Sequence, residues 1–192
     1  ARDKVLYHGH ALAAVAAISD RAADRALDAI KVEYEVLSPV LDILEAIDPD
    51  SVLVNENNYT KLPEKPDRPS NIANVGNLIR GDIQEGFGRA DVVIEREYVC
   101  PMTHQGYIEP HSCLASVDEE GKGTVWCSTQ GHFEFRNQTA SILKKNIADL
   151  KFVAKEIGGG FGGKTVVYLE PLAVMLSEKA GRPVKMTMTR EE

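Results

Sequence analysis

The sequence predicts an α+β fold in which mixed sheets pack against helices. Several short runs are rich in apolar and β-branched residues, as strands are, and a connector with Gly and Asp over residues 118–123 joins two of them as a hairpin. Two longer segments, residues 133–145 and 166–180, are predicted helices, the second apolar along most of its length. Because strand and helix patterns occur together in one stretch, we expect both in a common core.

The first forty residues have the pattern of a strand, a helix and a second strand. Residues 11–18 form a continuous apolar run, which is typical of a buried strand. Asp20 is an N-cap candidate for a helix over residues 20–30, where apolar residues recur at helical spacing. Apolar and charged residues alternate over residues 32–36, which predicts a strand with one wet face. Pro39 ends this α/β unit.

Residues 41–80 differ in composition from the rest of the chain. Four prolines, at positions 49, 63, 66 and 69, lie among Asn, Asp, Glu and Lys. Such a stretch is typical of a long connection between domains. The predicted organisation is therefore 1–40, an extended connector over 41–80, and a second domain over 81–192.

The remaining elements follow in the second domain. Gly81-Asp82 precedes a short helix that runs to about Ala90, and the second long helix ends at Gly181-Arg182-Pro183. The predicted strands cover residues 92–99, 114–117, 124–128, 150–157 and 184–188. A sequence that stops directly after a predicted strand is expected to be a piece of a longer chain.

Composition excludes some classes of function. The chain has 192 residues and a net charge of −7, from 22 basic and 29 acidic residues, which argues against a general nucleic-acid binder and against an anionic membrane surface. No stretch approaches the roughly 18 apolar residues of a membrane span, and no signal peptide is recognisable. Three cysteines without C-x-x-C spacing indicate reduced thiols, so we expect a cytoplasmic protein.

The glycine run at residues 158–165 is the main candidate site. Gly158–Thr165 matches G-x-x-x-x-G-K-[ST], a phosphate-binding loop, and also contains G-x-G-x-x-G, a dinucleotide fingerprint. The segment after Lys164 offers one helix and one strand, which is too little for the sheet of a nucleotide-binding fold. A P-loop nucleotide-binding protein stays an alternative at this point, and so does a non-catalytic interaction domain in which the glycines form only a turn.

Three segments in fixed order resemble the molybdenum-binding large subunit of the xanthine dehydrogenase / aldehyde oxidase family, the molybdenum hydroxylases. They are Gln-Gly-Tyr-Ile-Glu-Pro-His at 105–111, Val-Trp-Cys-Ser-Thr-Gln at 125–130, and the glycine run. The resemblance implies that residues 1–40 are the end of a small α/β hammerhead domain. It also implies that residues 81–192 are the first part of a molybdopterin-binding domain.

The resemblance implies a direct role for five residues in binding the molybdenum cofactor. Gly159, Gly160, Phe161 and Gly162 would lie against it, with Phe161 near the metal. Gln130 would hydrogen-bond an oxygen ligand of molybdenum, which a neutral amide can do without adding charge. Such partners hold and tune a metal centre.

Thr165 is the main departure from the family pattern. Purine-oxidising members have an acidic residue after the lysine, whereas this chain has Thr165. The resemblance therefore disfavours purines and leaves aldehydes, aromatic heterocycles, CO or an aryl thioester open as substrates. Glu109 and Lys164 are expected to have supporting, structural roles.

The resemblance also implies an enzyme that oxidises a C–H carbon with oxygen from water. Its catalytic glutamate lies far downstream in the large subunit, so no catalytic residue is expected in this chain, which alone should be inactive. Iron–sulfur clusters and FAD are expected in other domains or subunits, which would be its partners together with the rest of the large subunit. Whether the pterin carries a cytosine nucleotide is left open.

Overall fold

The computed structural model describes residues 3–192, which form two compact units. One consists of the described part of Ala1–His10 together with Val32–Pro101, and the other of Ala11–Lys31 with Met102–Glu192. Within residues 3–192, no helix is long and apolar enough to cross a lipid bilayer.

The first unit contains two short helices, α2 (Ile43–Ile47) and α3 (Ile83–Gly88). Each begins after an aspartate whose side chain accepts backbone N–H groups of the first turn: Asp42 accepts from two of them and Asp82 from one. Such caps satisfy donors that have no partner inside a helix. The predicted helix after Gly81-Asp82 is thereby confirmed.

The proline-rich segment is held together by asparagine side chains. The Asn71 amide accepts from the N–H of Val54 and donates to the carbonyl of Val52, both at 2.9 Å. Asn58 donates to the carbonyl of Ser70 at 2.6 Å. A single backbone bridge, Lys61 to Asn74, is formed here. The segment therefore has a defined path because amides supply the hydrogen bonds that helices and strands would otherwise provide.

The second unit is built on a four-stranded mixed sheet with the order β3-β2-β1-β4. The hairpin strands β1 (Ser112–Val117) and β2 (Gly123–Cys127) are antiparallel. The last strand β4 (Val184–Thr187) is antiparallel to β1, and β3 (Leu150–Ala154) is parallel to β2. Both ladder types occur in one sheet, which confirms the predicted fold class.

Helices α4 (His132–Leu143) and α5 (Glu170–Ala180) pack against this sheet. Their contacts form one core, in which the wholly buried Phe135 and Val174 meet the inward residues of the strands. Alternate residues of β1 are buried, as the period of a strand with one covered face requires. This packing fixes the sheet edge from which the candidate site extends.

Helix α5 begins at Glu170 and not at the predicted residue 166. Pro171 is its second residue, where a missing N–H costs nothing because the first turn has no partner for it. The helix ends at Gly181, whose φ of +60° is the left-handed conformation common at helix C-termini. Proline therefore marks the start of this helix.

Three predicted strands are wrong. Helix α1 (Asp20–Asp28) forms as expected, with Ser19 and not Asp20 as its N-cap. Residues 11–18, 32–36 and 92–99 form no strand, and none of the described residues pairs with them in a ladder. An apolar or alternating run becomes a strand only where a neighbouring strand accepts its hydrogen bonds.

Candidate cofactor-binding site

The candidate site lies at one edge of the mixed sheet. Since β2 and β3 are parallel, their carboxyl ends meet at the same edge. The chain after β2 reaches Gln130, and the chain after β3 forms the glycine loop, which we define as residues 158–164. The N–H of Lys155 donates to the carbonyl of Cys127 at 3.1 Å and continues the pairing to this edge. The topology alone brings two segments close together that are far apart in sequence.

Gln130 joins these two segments. Its backbone N–H donates to the carbonyl of Lys164 at 2.9 Å. Its side-chain Oε1 accepts from the N–H of Gly162 at 2.9 Å and from the N–H of Lys164 at 3.2 Å. Its Nε2 has no acceptor among residues 3–192 and belongs to an exposed side chain. The amide therefore holds the loop with its oxygen and presents its N–H₂ group outwards.

Gly160 lies directly against the Gln130 amide, so a side chain at this position would displace Gln130. A Cβ added at Gly160 would lie 2.5 Å from Gln130 Oε1, closer than real Cβ contacts come. The N–H groups of Gly159, Gly160 and Phe161 make no hydrogen bond within the described part of the chain. These uncharged donors, with the free amide of Gln130, fit a ligand rich in acceptor oxygens or ring nitrogens.

Phe161 adopts a conformation that is rare for a side chain of its size. Its φ is +48°, in the left-handed region, and its side chain is 72% exposed. The ring lies near Gly159, where an added Cβ would be 3.1 Å from its Cε2. A large aromatic ring held outwards in a strained backbone is a feature of ligand-binding loops.

Thr165 follows the loop and is exposed. Its hydroxyl donates to the carbonyl of Gly162 at 2.9 Å and so closes the C-terminal end of the loop. The structure thus brings together every residue that the sequence suggested, namely Gln130, Gly159, Gly160, Phe161, Gly162 and Thr165.

Glu109 and Lys164 form an ion pair beneath the loop. The Lys164 side chain is 0% exposed, and its Nζ lies 2.6 Å from Glu109 Oε2. The same oxygen accepts from the N–H of Gly158 at 2.8 Å. Partial burial raises the pKa of Glu109, but the hydrogen bonds from Lys164 and Gly158 outweigh it and lower the pKa below its ordinary value. Glu109 is therefore ionised at neutral pH.

This ion pair opposes the phosphate-loop hypothesis. The lysine of a phosphate-binding loop reaches the β- and γ-phosphates, whereas Lys164 points into the protein and is neutralised by Glu109. The helix that should follow the loop directly begins only at Glu170. Both features that make a P-loop work are therefore missing from this loop.

An open cleft of about 470 Å³ borders the loop at Gly162 and Gly163. Aromatic rings line it: Tyr107 Oη lies 2.9 Å from His111 Nε2, and the rings of His111 and Tyr168 meet edge to face. Burial, with the positive charge of Lys164, lowers the pKa of His111, so its imidazole is neutral at pH 7. The rings of Tyr107, His111 and Tyr168 thus form an aromatic wall of the cleft, which Arg190, Glu191 and Glu192 also line.

The sequence did not reveal the contacts that hold the loop on its protein side. It gave Glu109 and Lys164 no pairing and gave Tyr107 and Arg190 no role. Arg190 donates to the carbonyls of Tyr107, at 3.1 Å, and Ile108, which fixes the segment that carries Glu109. The available signal was a glutamate in the first and a lysine in the third of the three family-like motifs, since opposite charges are the usual partners in a buried pair.

Comparison with known proteins agrees with this geometry. The chain is 33% identical over 190 residues to a probable xanthine dehydrogenase component of Bacillus subtilis, and the match covers 99% of this chain and 24% of that protein. It is 32% identical to the "Nicotinate dehydrogenase large molybdopterin subunit" of Eubacterium barkeri, over 99% of this chain and 42% of that protein. The chain thus spans less than half the length of these relatives.

Solved structures show the same fold. CO dehydrogenase from Oligotropha carboxidovorans superposes with a TM-score of 0.70 and 27% identity, over 89% of this chain and 22% of that one. The aldehyde oxidoreductase of Desulfovibrio gigas, at 20% identity, also has a TM-score of 0.70 and supports the fold alone. The profile of the family described as "Molybdopterin cofactor-binding domain" matches residues 64–192, most of the chain. The resemblance read from the sequence is confirmed, and the chain belongs to the molybdopterin cofactor-binding domain family.

Proposed function

We propose that this chain supplies part of the molybdopterin pocket of a larger molybdenum hydroxylase. The observation that carries the proposal is that the two ends of the Gln130 amide have different surroundings. Its Oε1 accepts hydrogen bonds from the glycine loop, while its Nε2 makes no hydrogen bond within residues 3–192 and belongs to an exposed side chain. Three free N–H groups at residues 159–161 lie in the loop that Gln130 holds. The family and the structural likeness to CO dehydrogenase support this assignment.

Each residue has a defined part in the proposal. Gln130 Nε2 would donate to an oxygen at the metal centre, and the N–H groups of Gly159, Gly160 and Phe161 would donate to acceptors of the cofactor. The ring of Phe161 would pack at the metal end, and Thr165 would face the substrate. When bound, the molybdenum–pterin group supplies oxidation of a C–H carbon with oxygen from water.

The larger protein is proposed to oxidise an aldehyde or an aromatic heterocycle. The relatives named for xanthine and nicotinate oxidation make ring substrates reasonable, and Thr165 makes purines less so. The catalytic base, the iron–sulfur clusters and the FAD would lie outside these 192 residues, in a cytoplasmic complex. The chain alone would then be inactive.

The proposed domain organisation has three parts. Residues 1–40 would be the end of an α/β hammerhead domain, residues 41–80 an extended connector, and residues 81–192 the first part of the cofactor-binding domain.

The test measures cofactor content and not activity alone. The intact complex containing this chain is purified from a host that makes molybdopterin, as wild type, Gln130→Ala and Gln138→Ala. Gln138 is a matched control because its Oε1 also accepts one backbone N–H, from Val167 at 3.0 Å, while its Nε2 is bound to Glu134. Molybdenum is measured by mass spectrometry and pterin by fluorescence after oxidation.

We expect stoichiometric molybdenum in wild type and Gln138→Ala, and a loss of at least half of it in Gln130→Ala. Absence of molybdenum and pterin from the wild-type complex would refute the proposal. Equal cofactor content and equal turnover in all three proteins would favour an interaction domain in which the glycines form only a turn.

A further inference from the structure

We propose that Glu109 and Lys164 are positioning residues that clamp the two ends of the glycine loop and so direct its free N–H groups at the cofactor. This inference rests on the proposed function. One carboxylate oxygen, Glu109 Oε2, binds the N–H of Gly158 at 2.8 Å and the ammonium of Lys164 at 2.6 Å. Gly158 and Lys164 are the first and last residues of the loop, so a single atom ties both ends together.

Lys164 needs a counter-charge because its side chain is buried, and Glu109 supplies it. Its side chain is wholly buried, and Glu109 is the one carboxylate within ion-pair distance among residues 3–192. Its Nζ also lies 5.1 Å from the centre of the Tyr107 ring, which adds a weaker cation–π contact. A buried ammonium without a counter-charge is strongly unfavourable, so without Glu109 we expect the lysine to lose its proton or to leave its site, and either change weakens its link to the rest of the loop.

Glu109 also packs directly against the first residue of the loop. A Cβ at Gly158 would lie 2.7 Å from the Cβ of Glu109, so the backbone already touches this side chain. The backbone N–H of Glu109 also faces the carbonyl of Gly158, at 3.4 Å. Glu109 thus contacts Gly158 through its backbone, its Cβ and its carboxylate, and these contacts fix the position of Gly158 relative to the sheet.

The clamp acts on the cofactor face through the residues between its ends. The N–H groups of residues 159–161 make no hydrogen bond in the described part of the chain. The Gly160 carbonyl accepts from the N–H of Gly163 at 2.7 Å, so this turn and the anchors on either side together fix the direction of the segment. Gln130 provides the middle anchor at Gly162, and the clamp provides the outer two. Without the outer anchors, we expect the three N–H groups to point in different directions and the pterin to dissociate faster.

The experiment measures the rate at which pterin leaves the intact, purified complex during dialysis, beside its melting temperature. Glu109→Gln keeps the shape and an acceptor for Gly158 but leaves Lys164 unpaired. The matched control is Glu178→Gln, which breaks the ion pair with Lys145 (2.8 Å) elsewhere in the same unit. We expect pterin loss at least tenfold faster in Glu109→Gln and within twofold of wild type in Glu178→Gln.

A double variant separates positioning from folding. Glu109→Gln with Lys164→Met buries no unpaired charge, so its melting temperature should return towards wild type, while the link between the loop ends stays broken and pterin loss stays fast. Wild-type pterin retention in this double variant, or in Glu109→Gln, would overturn the clamp and leave the proposed function intact. A wild-type complex that holds no pterin would overturn both.

Discussion

Replacement of Gly160 by alanine tests how the glycine loop is seated on Gln130. The new Cβ would lie 2.5 Å from Oε1, 2.7 Å from Cδ and 3.0 Å from Cγ of that one side chain. Because the side chain is exposed and flexible, we expect the amide to swing aside while the backbone stays. Gln130 then loses the N–H groups of Gly162 and Lys164, which it holds at 2.9 and 3.2 Å.

The magnitude follows from these two bonds. A protein hydrogen bond contributes about 0.5–1.5 kcal/mol net, so Gly160→Ala should lower the free energy of unfolding by about 1–3 kcal/mol. Gln130→Ala removes the same two bonds and should cost the same. In the double variant the new methyl group no longer meets the Gln130 amide, so the double variant should lose no more stability than either single variant. The expected coupling energy is therefore about 1–3 kcal/mol.

Urea denaturation of the four proteins measures this coupling. Trp126 is the one tryptophan of the chain and lies in β2, so its fluorescence follows the unit that contains the loop. Glu178→Gln serves as a control in the same unit, because it breaks an ion pair with Lys145 that shares no partner with Gln130, and its effect should add to that of Gln130→Ala. Additive effects of Gly160→Ala and Gln130→Ala, within about 0.5 kcal/mol, would show that the backbone moves and would refute the reasoning.

Three further results are expected. Phe135→Ala should lower the free energy of unfolding by about 3–5 kcal/mol, since the side chain is 0% exposed, and a urea midpoint close to wild type would contradict the packing. Burial raises the pKa of Glu170 above its unfolded value, so ionisation weakens the fold as pH rises through the folded pKa. Glu170→Gln should therefore melt above wild type near pH 8, and the difference should vanish towards about pH 4, whereas a difference independent of pH would contradict the burial of charge. Burial and the charge of Glu170 raise the pKa of Cys127 to about 12 and raise that of Cys113 as well, so a thiol reagent at neutral pH should label the exposed Cys100 fast and the other two only after denaturation.

The parts of the fold that the sequence predicted share one property. Over residues 112–187, each strand finds its partner within the same stretch, so the local apolar pattern and the final pairing agree. Residues 11–18, 32–36 and 92–99 have equally clear patterns, yet they form no strand. A pattern reports which face a strand would bury, but pairing depends on a neighbour that local sequence does not reveal.

The site was predictable to a similar, limited degree. The glycine loop is visible as a motif, but two nucleotide patterns fit it as well, and only the family resemblance linked it to Gln130. The pair of Glu109 and Lys164 joins positions 55 residues apart and decides between those interpretations, because it removes the lysine from any phosphate. Such a contact arises because the start of β1 lies beside the end of β2, whose other neighbour β3 runs parallel to it, and no single motif encodes this arrangement.

The loop's contacts with the protein leave one feature unexplained, and that feature indicates function. Gly158 and Gly160 lack side chains because Glu109 and Gln130 fill the space that a Cβ would need. Phe161 has no such reason: a large ring, 72% exposed, sits on a left-handed backbone that costs free energy and forms no hydrogen bond or ring contact among residues 3–192. Such strain persists where a ligand uses the group that it presents. If the proposed function is right, the ring of Phe161 is covered by the molybdopterin cofactor in the intact complex.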